Sequence, residues 1–170
     1  MSDLITTLAF IYGLTALSLV LFFWDFIYGA MYMRLPKAQV QKMLELAEVG
    51  KGKVVYDLGA GFGNIGFAAA GKGATVIAVE RNPLRYRWIK YQIKKKQLTN
   101  MTCDQTDIRK LNLSNADIIL SYTSDGLMNA VAAKQLKANV TIVSASHKIK
   151  GWTPTLIERK NVYELYCYKK

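Results

Sequence analysis

The stretch "VVYDLGAGFGNIG", Val54 to Gly66, decides the fold. It begins as β-branched and aromatic residues and breaks at Leu58 into alternating glycines. That pattern reads as a strand running into a tight loop that opens a helix. Two fingerprints overlap within it. Gly61-x-Gly63-x-x-Gly66 has the spacing of a dinucleotide-binding turn. In the second, a carboxylate precedes alternating glycines, Asp57-x-Gly59-x-Gly61-x-Gly63.

Working outward, the neighbouring segments alternate strand and helix. "KAQVQKMLELAEV", after Pro36, carries Val40, Met43, Leu44 and Ala47 at helical spacing, with Gly50 and Gly52 as the expected stop. "KVVYDL" is the first strand and "IGFAAA" a short helix ended by Gly71 and Gly73. "ATVIAVE" and "MTCDQ" are the next strands, separated by the helix "PLRYRWIKYQIKKKQL", with Trp88, Ile89, Tyr91 and Ile93 on or beside its apolar face. "ADIILSY", the helix "GLMNAVAAKQL" and "NVTIVSAS" follow. Near-continuous apolar strands indicate a sheet covered by helices on both faces. "TLIERK" and "NVYELYCYK" are too close for a crossover and predict an antiparallel hairpin. The expected fold is α/β: a Rossmann-like sheet of seven strands ending in that hairpin. Cys103 and Cys167 fall in strands without metal-ligand spacing and read as reduced core residues.

The chain has 170 residues, 51% of them hydrophobic, and the apolar content is concentrated at the start. No charged residue occurs from Leu4 to Trp24. About 20 apolar residues span a bilayer core. A signal peptide is the competing reading, but Asp3 precedes the run without any Lys or Arg, and the run is too long for an h-region; a buried core helix is the other. Residues 1–33 are therefore expected to form a transmembrane anchor and 34–170 the domain. All 23 basic residues follow Met33, against 10 acidic ones, a net +13. Arg34, Lys37 and Lys42 then place the domain on the cytoplasmic or equivalent side. Trp24, Tyr28 and Tyr32 suit an interfacial belt, and Asp25 fits the headgroup level.

Glycines allow close backbone approach for any nucleotide, so the loop alone leaves the cofactor open. Asp57 tilts the choice. A carboxylate at the end of the first strand suits a cationic ligand, such as the methionine ammonium of S-adenosylmethionine, and fits poorly beside a pyrophosphate. Glu80 ends the next strand, where a carboxylate accepts both ribose hydroxyls of either cofactor. Asp107, after the third strand, is placed to accept from an adenine amine. Only 137 residues follow Met33, little for the second half-sheet and substrate domain that a dinucleotide enzyme uses.

At these residues the chain resembles class I S-adenosylmethionine-dependent methyltransferases. "VVYDLGAGFGNIG", "VIAVERN", "DIRKL" and "GWTP…YELYCY" are similar to one small family. It comprises archaeal protein lysine methyltransferases and membrane-anchored mitochondrial lysine methyltransferases acting on the adenine nucleotide translocase or the ATP synthase c-subunit. The resemblance covers Tyr32 to the C-terminus. It implies a class I methyltransferase sheet with S-adenosylmethionine held at Asp57, Gly59, Gly61, Glu80 and Asp107; Ala60, Gly63 and Arg81 complete the candidate cofactor set. There are two departures. Ala145-Ser146 stands where archaeal members carry His-Glu, and Arg34-Leu35-Pro36 replaces a Val-Pro-rich stretch. Both lie near the expected acceptor site.

Methyl transfer from a sulfonium is a direct displacement that chiefly needs alignment and exclusion of water. The loop Ser121-Tyr122-Thr123-Ser124 lacks the Asn/Asp-Pro-Pro-aromatic signature that clamps planar amides and adenine amines. Tyr122 and Thr123 are candidates to orient an amine, or ordinary loop residues. His147, the only histidine, is a candidate base or an imidazole packed on a strand. Trp152 either walls the site or packs its turn. From Arg81 to Lys96 seven cations occur without an acid. An anionic lipid surface accounts for them better than nucleic acid, and a solvated face is the plain alternative. The leading expectation is a membrane-anchored protein lysine N-methyltransferase with a membrane protein substrate. A lipid or quinone methyltransferase and a non-catalytic subunit are the alternatives.

Overall fold

The computed structural model describes residues 2–28, 32–160 and 162–170. The side chains of Trp24, Asp25 and Tyr28, which the sequence places at or near an interfacial belt, lie outside the described residues. The chain forms two compact units, Met1–Tyr32 and Met33–Lys170.

The first unit is one helix, α1 (Ser2–Tyr28), of 27 residues. At about 1.5 Å per residue it is roughly 40 Å long, more than the ~30 Å hydrocarbon core of a bilayer. Its Asp3–Val20 stretch is long and apolar enough to cross a membrane. Its polar side chains turn inward on the helix: Thr7, Thr15 and Ser18 donate to the carbonyls of Asp3, Tyr12 and Leu14. Such back-bonding leaves few hydroxyl donors in need of water.

The second unit is built on a seven-stranded sheet in the order β3-β2-β1-β4-β5-β7-β6. The strands are β1 (Val54–Leu58), β2 (Thr75–Val79), β3 (Met101–Asp104), β4 (Ile118–Ser121), β5 (Thr141–Ala145), β6 (Leu156–Lys160) and β7 (Tyr163–Lys169). β1 to β5 are parallel, while β7 runs antiparallel between β5 and β6. The helices are α2 (Lys37–Leu46), α3 (Asn64–Gly71), α4 (Pro83–Lys95) and α5 (Asp125–Ala132). Alternate strand residues face opposite layers. Val55, Ile118, Leu120, Val143 and Leu165 meet α2 and α3 residues Met43, Leu44, Ile65 and Ala69 on one side. Tyr56, Ile119, Ile142 and Tyr166 meet Met128 and Val131 of α5 on the other. Helices thus cover both faces, as the uninterrupted apolar strands require. Cys103 and Cys167 are buried free thiols in β3 and β7.

Three local expectations change. α2 stops at Leu46, before Gly50 and Gly52, because Glu48 takes a left-handed φ of 53°. α5 ends at Ala132 rather than continuing to Leu136, which instead forms an isolated bridge with Leu113. Within α4 only Ile89 is buried, while Trp88 and Tyr91 face solvent.

Candidate active site

β1 lies in the middle of the parallel strands. The chain moves from it to β2 and β3 on one side, then returns to β4 and β5 on the other. The crevice beyond the C-terminal ends of β1 and β4 is therefore the topological switch point, where open α/β sheets bind ligands. Gly59 leaves β1 there, and Thr123 follows β4. The two touch closely: a Cβ on Gly59 would fall 2.3 Å from Thr123 Cγ2.

Accounting for the loop's backbone N–H groups separates the two fingerprints. Gly59 and Ala60 both donate to the Val79 carbonyl, at 2.9 and 3.0 Å. Gly61 donates to Glu80 Oε2 at 2.7 Å, and Gly63 to the Ala60 carbonyl at 2.7 Å. None of these four donors is left over for a pyrophosphate. The helix that follows has an acceptor already: Asp57 Oδ2 accepts from Gly66 N–H at 2.8 Å, in the first turn of α3. A helix N-terminus presents unpaired N–H donors, and Asp57 occupies one of them.

Asp57 is buried, and its Oδ1 has no hydrogen-bond partner. Burial, opposed by the Gly66 N–H and reinforced by Glu80, pushes its carboxyl up to about 7. Glu80 is also raised by burial, against the Asn82, Gly61 and Arg81 N–H groups and Arg85. Two buried acids and an orphaned oxygen suit a cationic ligand. Through its Oδ2, Asp57 also ties the loop to α3.

The raised carboxyl fixes the sign of a pH dependence. The native state keeps a proton on Asp57 that the unfolded chain releases near pH 4. This stability is complete below about pH 4 and is lost as pH rises to about 7 and beyond. At about 1.4 kcal/mol per pKa unit the loss reaches roughly 4 kcal/mol, or about 10 °C in Tm. Thermal melts of the ligand-free protein should therefore fall between pH 5 and pH 8. The slope should flatten in Asp57→Asn, and an unchanged slope in that variant would assign the dependence elsewhere.

Asp107 is held by two arginines. Its Oδ1 accepts from the Arg109 backbone N–H at 2.9 Å and from Arg109 Nε at 3.0 Å. Its Oδ2 accepts from Arg109 Nη2 at 2.6 Å and from Arg81 Nη1 at 3.4 Å. A carboxylate has about four acceptor positions, so these donors fill it. Arg109 holds its carboxyl well below the ordinary range. A purine amine would have to displace Arg81, whose contact is the longest. Arg81 thereby belongs to this ion pair.

The other side of the crevice is aromatic. The Tyr122 ring lies 6.4 Å from the His147 ring and 6.3 Å from that of Tyr163, which starts β7. His147 Nδ1 is 3.0 Å from Asp125 Oδ1, at the first residue of α5. His147 thus sits in the loop beyond β5, paired with an acid, and is not packed on a strand. Thr123 Oγ1 bonds Ser121 Oγ at 3.0 Å, which fixes the methyl that presses on Gly59. Trp152 packs edge-on against Tyr168 and belongs to the α5-side core, as the plainer of its two readings had it. Sequence reasoning missed Asp125 and Tyr163. Their only signals are an acid opening a helix after Ser124 and an aromatic residue opening the last strand.

A family model described as the ANTKMT methyltransferase domain matches residues 57–156. The chain belongs to this family. It is 30% identical over 130 residues to a protein-lysine N-methyltransferase of Saccharolobus islandicus, a match covering 72% of this chain and 80% of that protein. A probable ribosomal RNA small subunit methyltransferase A of Methanosphaera stadtmanae is 30% identical over 95 residues, 56% of this chain but 35% of that protein. A solved RNA methyltransferase of Salinibacter ruber, in complex with S-adenosyl-L-homocysteine, superposes with a TM-score of 0.76 at 25% identity. That match covers 81% of this chain and 93% of the other.

This ANTKMT-family protein is an S-adenosylmethionine-dependent methyltransferase with the class I sheet that its glycine loop predicts. Its residues fit the cofactor's charge. The methyl donor carries a sulfonium and an ammonium, and the crevice supplies Asp57, Glu80 and internally bonded loop amides. The non-catalytic alternative is set aside by membership of the methyltransferase family.

Proposed function

We propose that this methyltransferase modifies lysine side chains of proteins lying at the membrane surface, to which α1 anchors it. The observation that carries the acceptor is the corner formed by Tyr122, Tyr163, His147 and Asp125 beside the glycine loop. Two phenol rings and an acid-paired imidazole suit a flexible amine, whose cationic form aromatic faces attract. The Saccharolobus relative, of which this chain covers 80%, is a protein-lysine N-methyltransferase and supports the same acceptor.

Asp57 and Glu80 hold the glycine loop and so seat the cofactor, which supplies an electrophilic methyl group. Gly59 lets Thr123 close against the loop. Tyr122 and His147 orient the lysine Nζ. That nitrogen's lone pair would take the methyl group, with the S–C bond's electron pair left on the bound cofactor's sulfur. With Nδ1–H donated to Asp125, His147 Nε2 is an acceptor for the proton that the amine sheds.

RNA is the rival suggested by the Salinibacter and Methanosphaera relatives. The loop after β4 offers no Pro-Pro-aromatic clamp for a planar base, which favours an amine. The test is labelled S-adenosylmethionine added to membranes holding the full chain, with protein, extracted lipid and RNA counted separately. We expect methyl-lysine in membrane proteins. His147→Gln should slow turnover by about 100-fold, the lower range for a general base, with cofactor affinity unchanged. Label confined to lipid would instead establish the lipid or quinone acceptor; label confined to RNA would establish the other.

A further inference from the structure

The solvent side of α4 is built unlike an ordinary exposed helix face. Ile89 is buried beneath the helix, with Tyr86 and Ile93 half-buried beside it. Opposite, positions 84, 87, 88, 91, 94 and 95 are all exposed. At 3.6 residues per turn they share about one third of the circumference. Three are large and apolar: Leu84, Trp88 and Tyr91 are 51%, 46% and 54% exposed. Three are cations, Arg87, Lys94 and Lys95, and among the described residues none of these pairs with a carboxylate. The glycine loop joins this face through Phe62, whose ring meets Trp88 edge-on at 6.3 Å. Trp88 in turn lies 6.1 Å from Tyr91.

A merely solvated face would be polar throughout. A single-strand RNA platform would hold its rings apart as stacking surfaces; here they pack on one another, edge-on and tilted, and Leu84 among them has nothing to stack. Aromatic and aliphatic side chains interleaved with cations are the composition of a helix lying in a lipid interface. No acid occurs between Glu80 and Asp104 to oppose an anionic surface.

We propose that the outer face of α4, with Phe62, docks on the headgroup region of an anionic bilayer and so holds the cofactor loop at the membrane surface. This deepens the membrane reading above and rests on it for location; the aromatic face and the α1 span are tested by different tryptophans. The chain has three, Trp24, Trp88 and Trp152. Full-length W24F/W152F leaves Trp88 alone, and W88F/W152F leaves Trp24 alone. Each is placed in phosphatidylcholine vesicles with brominated acyl chains, with or without about one-third phosphatidylglycerol.

Trp88 emission should shift to the blue and be quenched by about half or more in the anionic vesicles, and distinctly less in neutral ones. The charge reversals Arg87→Glu, Lys94→Glu and Lys95→Glu together should abolish that difference. So should salt near 1 M, where the Debye length is about 3 Å. Trp24 should stay quenched throughout. Unquenched Trp88 beside quenched Trp24 overturns the docking face and leaves the span intact. Unquenched Trp24 with quenched Trp88 removes the span alone. A blue-shifted Trp88 that ignores brominated lipid means that protein covers this face, and overturns the proposal. Quenching of Trp88 by a single-stranded oligoribonucleotide but not by vesicles reassigns the face to nucleic acid.

Discussion

Gly59→Ala should weaken S-adenosylmethionine binding at least ~100-fold and lower stability by roughly 2–4 kcal/mol, through overpacking and backbone strain together. The new Cβ would lie 2.3 Å from Thr123 Cγ2, where carbon atoms normally rest about 3.5–4.0 Å apart. The backbone is also held at φ 72°, a left-handed conformation that costs a side-chain-bearing residue about 1–2 kcal/mol. Thr123 has little room to retreat, because its hydroxyl is bonded to Ser121, itself buried in β4. The two causes separate in a double variant. Gly59→Ala with Thr123→Ser removes the obstructing methyl and keeps the hydroxyl, so it should recover the steric part and retain the φ strain. Calorimetric titration and thermal melts measure both. Wild-type affinity in Gly59→Ala alone would show that the cofactor does not use this crevice.

Glu80→Ala should be of similar size for a different reason. Glu80 accepts from Gly61 N–H at 2.7 Å and from Asn82 N–H at 2.8 Å, with one carboxylate oxygen to each. It is buried, so its removal leaves backbone donors, Gly61 and Asn82 N–H among them, in a place that water reaches poorly. Each unpaired group costs about 1–3 kcal/mol. A ribose whose hydroxyls met the remaining lone pairs would lose those bonds as well. Affinity should fall about 100- to 1000-fold by calorimetry, since each factor of ten is about 1.4 kcal/mol. Glu80→Gln gives the sharper comparison. Its amide retains one acceptor oxygen and opposes the other N–H with an NH2, so it should also bind poorly although its volume is unchanged. If both variants bind like wild type, Glu80 has no part in the cofactor seat.

The sheet was legible because its strands are buried on both faces. Such strands need apolar residues at every position, and "VVYDL", "TVIAV" and "TIVSA" have nearly that. The hairpin followed from distance alone, since too few residues separate Lys160 from Tyr163 for a crossover. The faces of α4 were not legible. Tyr86, Ile89 and Ile93 form one stripe at helical spacing, while Leu84, Trp88 and Tyr91 form another. Periodicity reports that stripes exist and not which of them meets the sheet. The ion pairs of Asp107 were not legible for a related reason. Its sequence position is that of an adenine acceptor, but Arg109 and Arg81 close on it in space. Asp125 has no sequence signal beyond opening a helix, and only the fold brings His147 beside it.

The place of β7 has a consequence for how the polypeptide is made. It is the last strand in sequence yet an interior one in the sheet, and β6 joins the domain's sheet only through it. Even Lys170 is stitched in, its N–H bonded to the Val140 carbonyl. A ribosome adding about 5–20 residues per second therefore delivers β1 to β5 well before the sheet can close. During that interval the outer edge of β5, with Ile142 and Val143, is an unpaired template open to any other strand. Until β7 (Tyr163–Lys169) has been made, the nascent domain is a five-stranded sheet with an open edge, and that strand works as the latch.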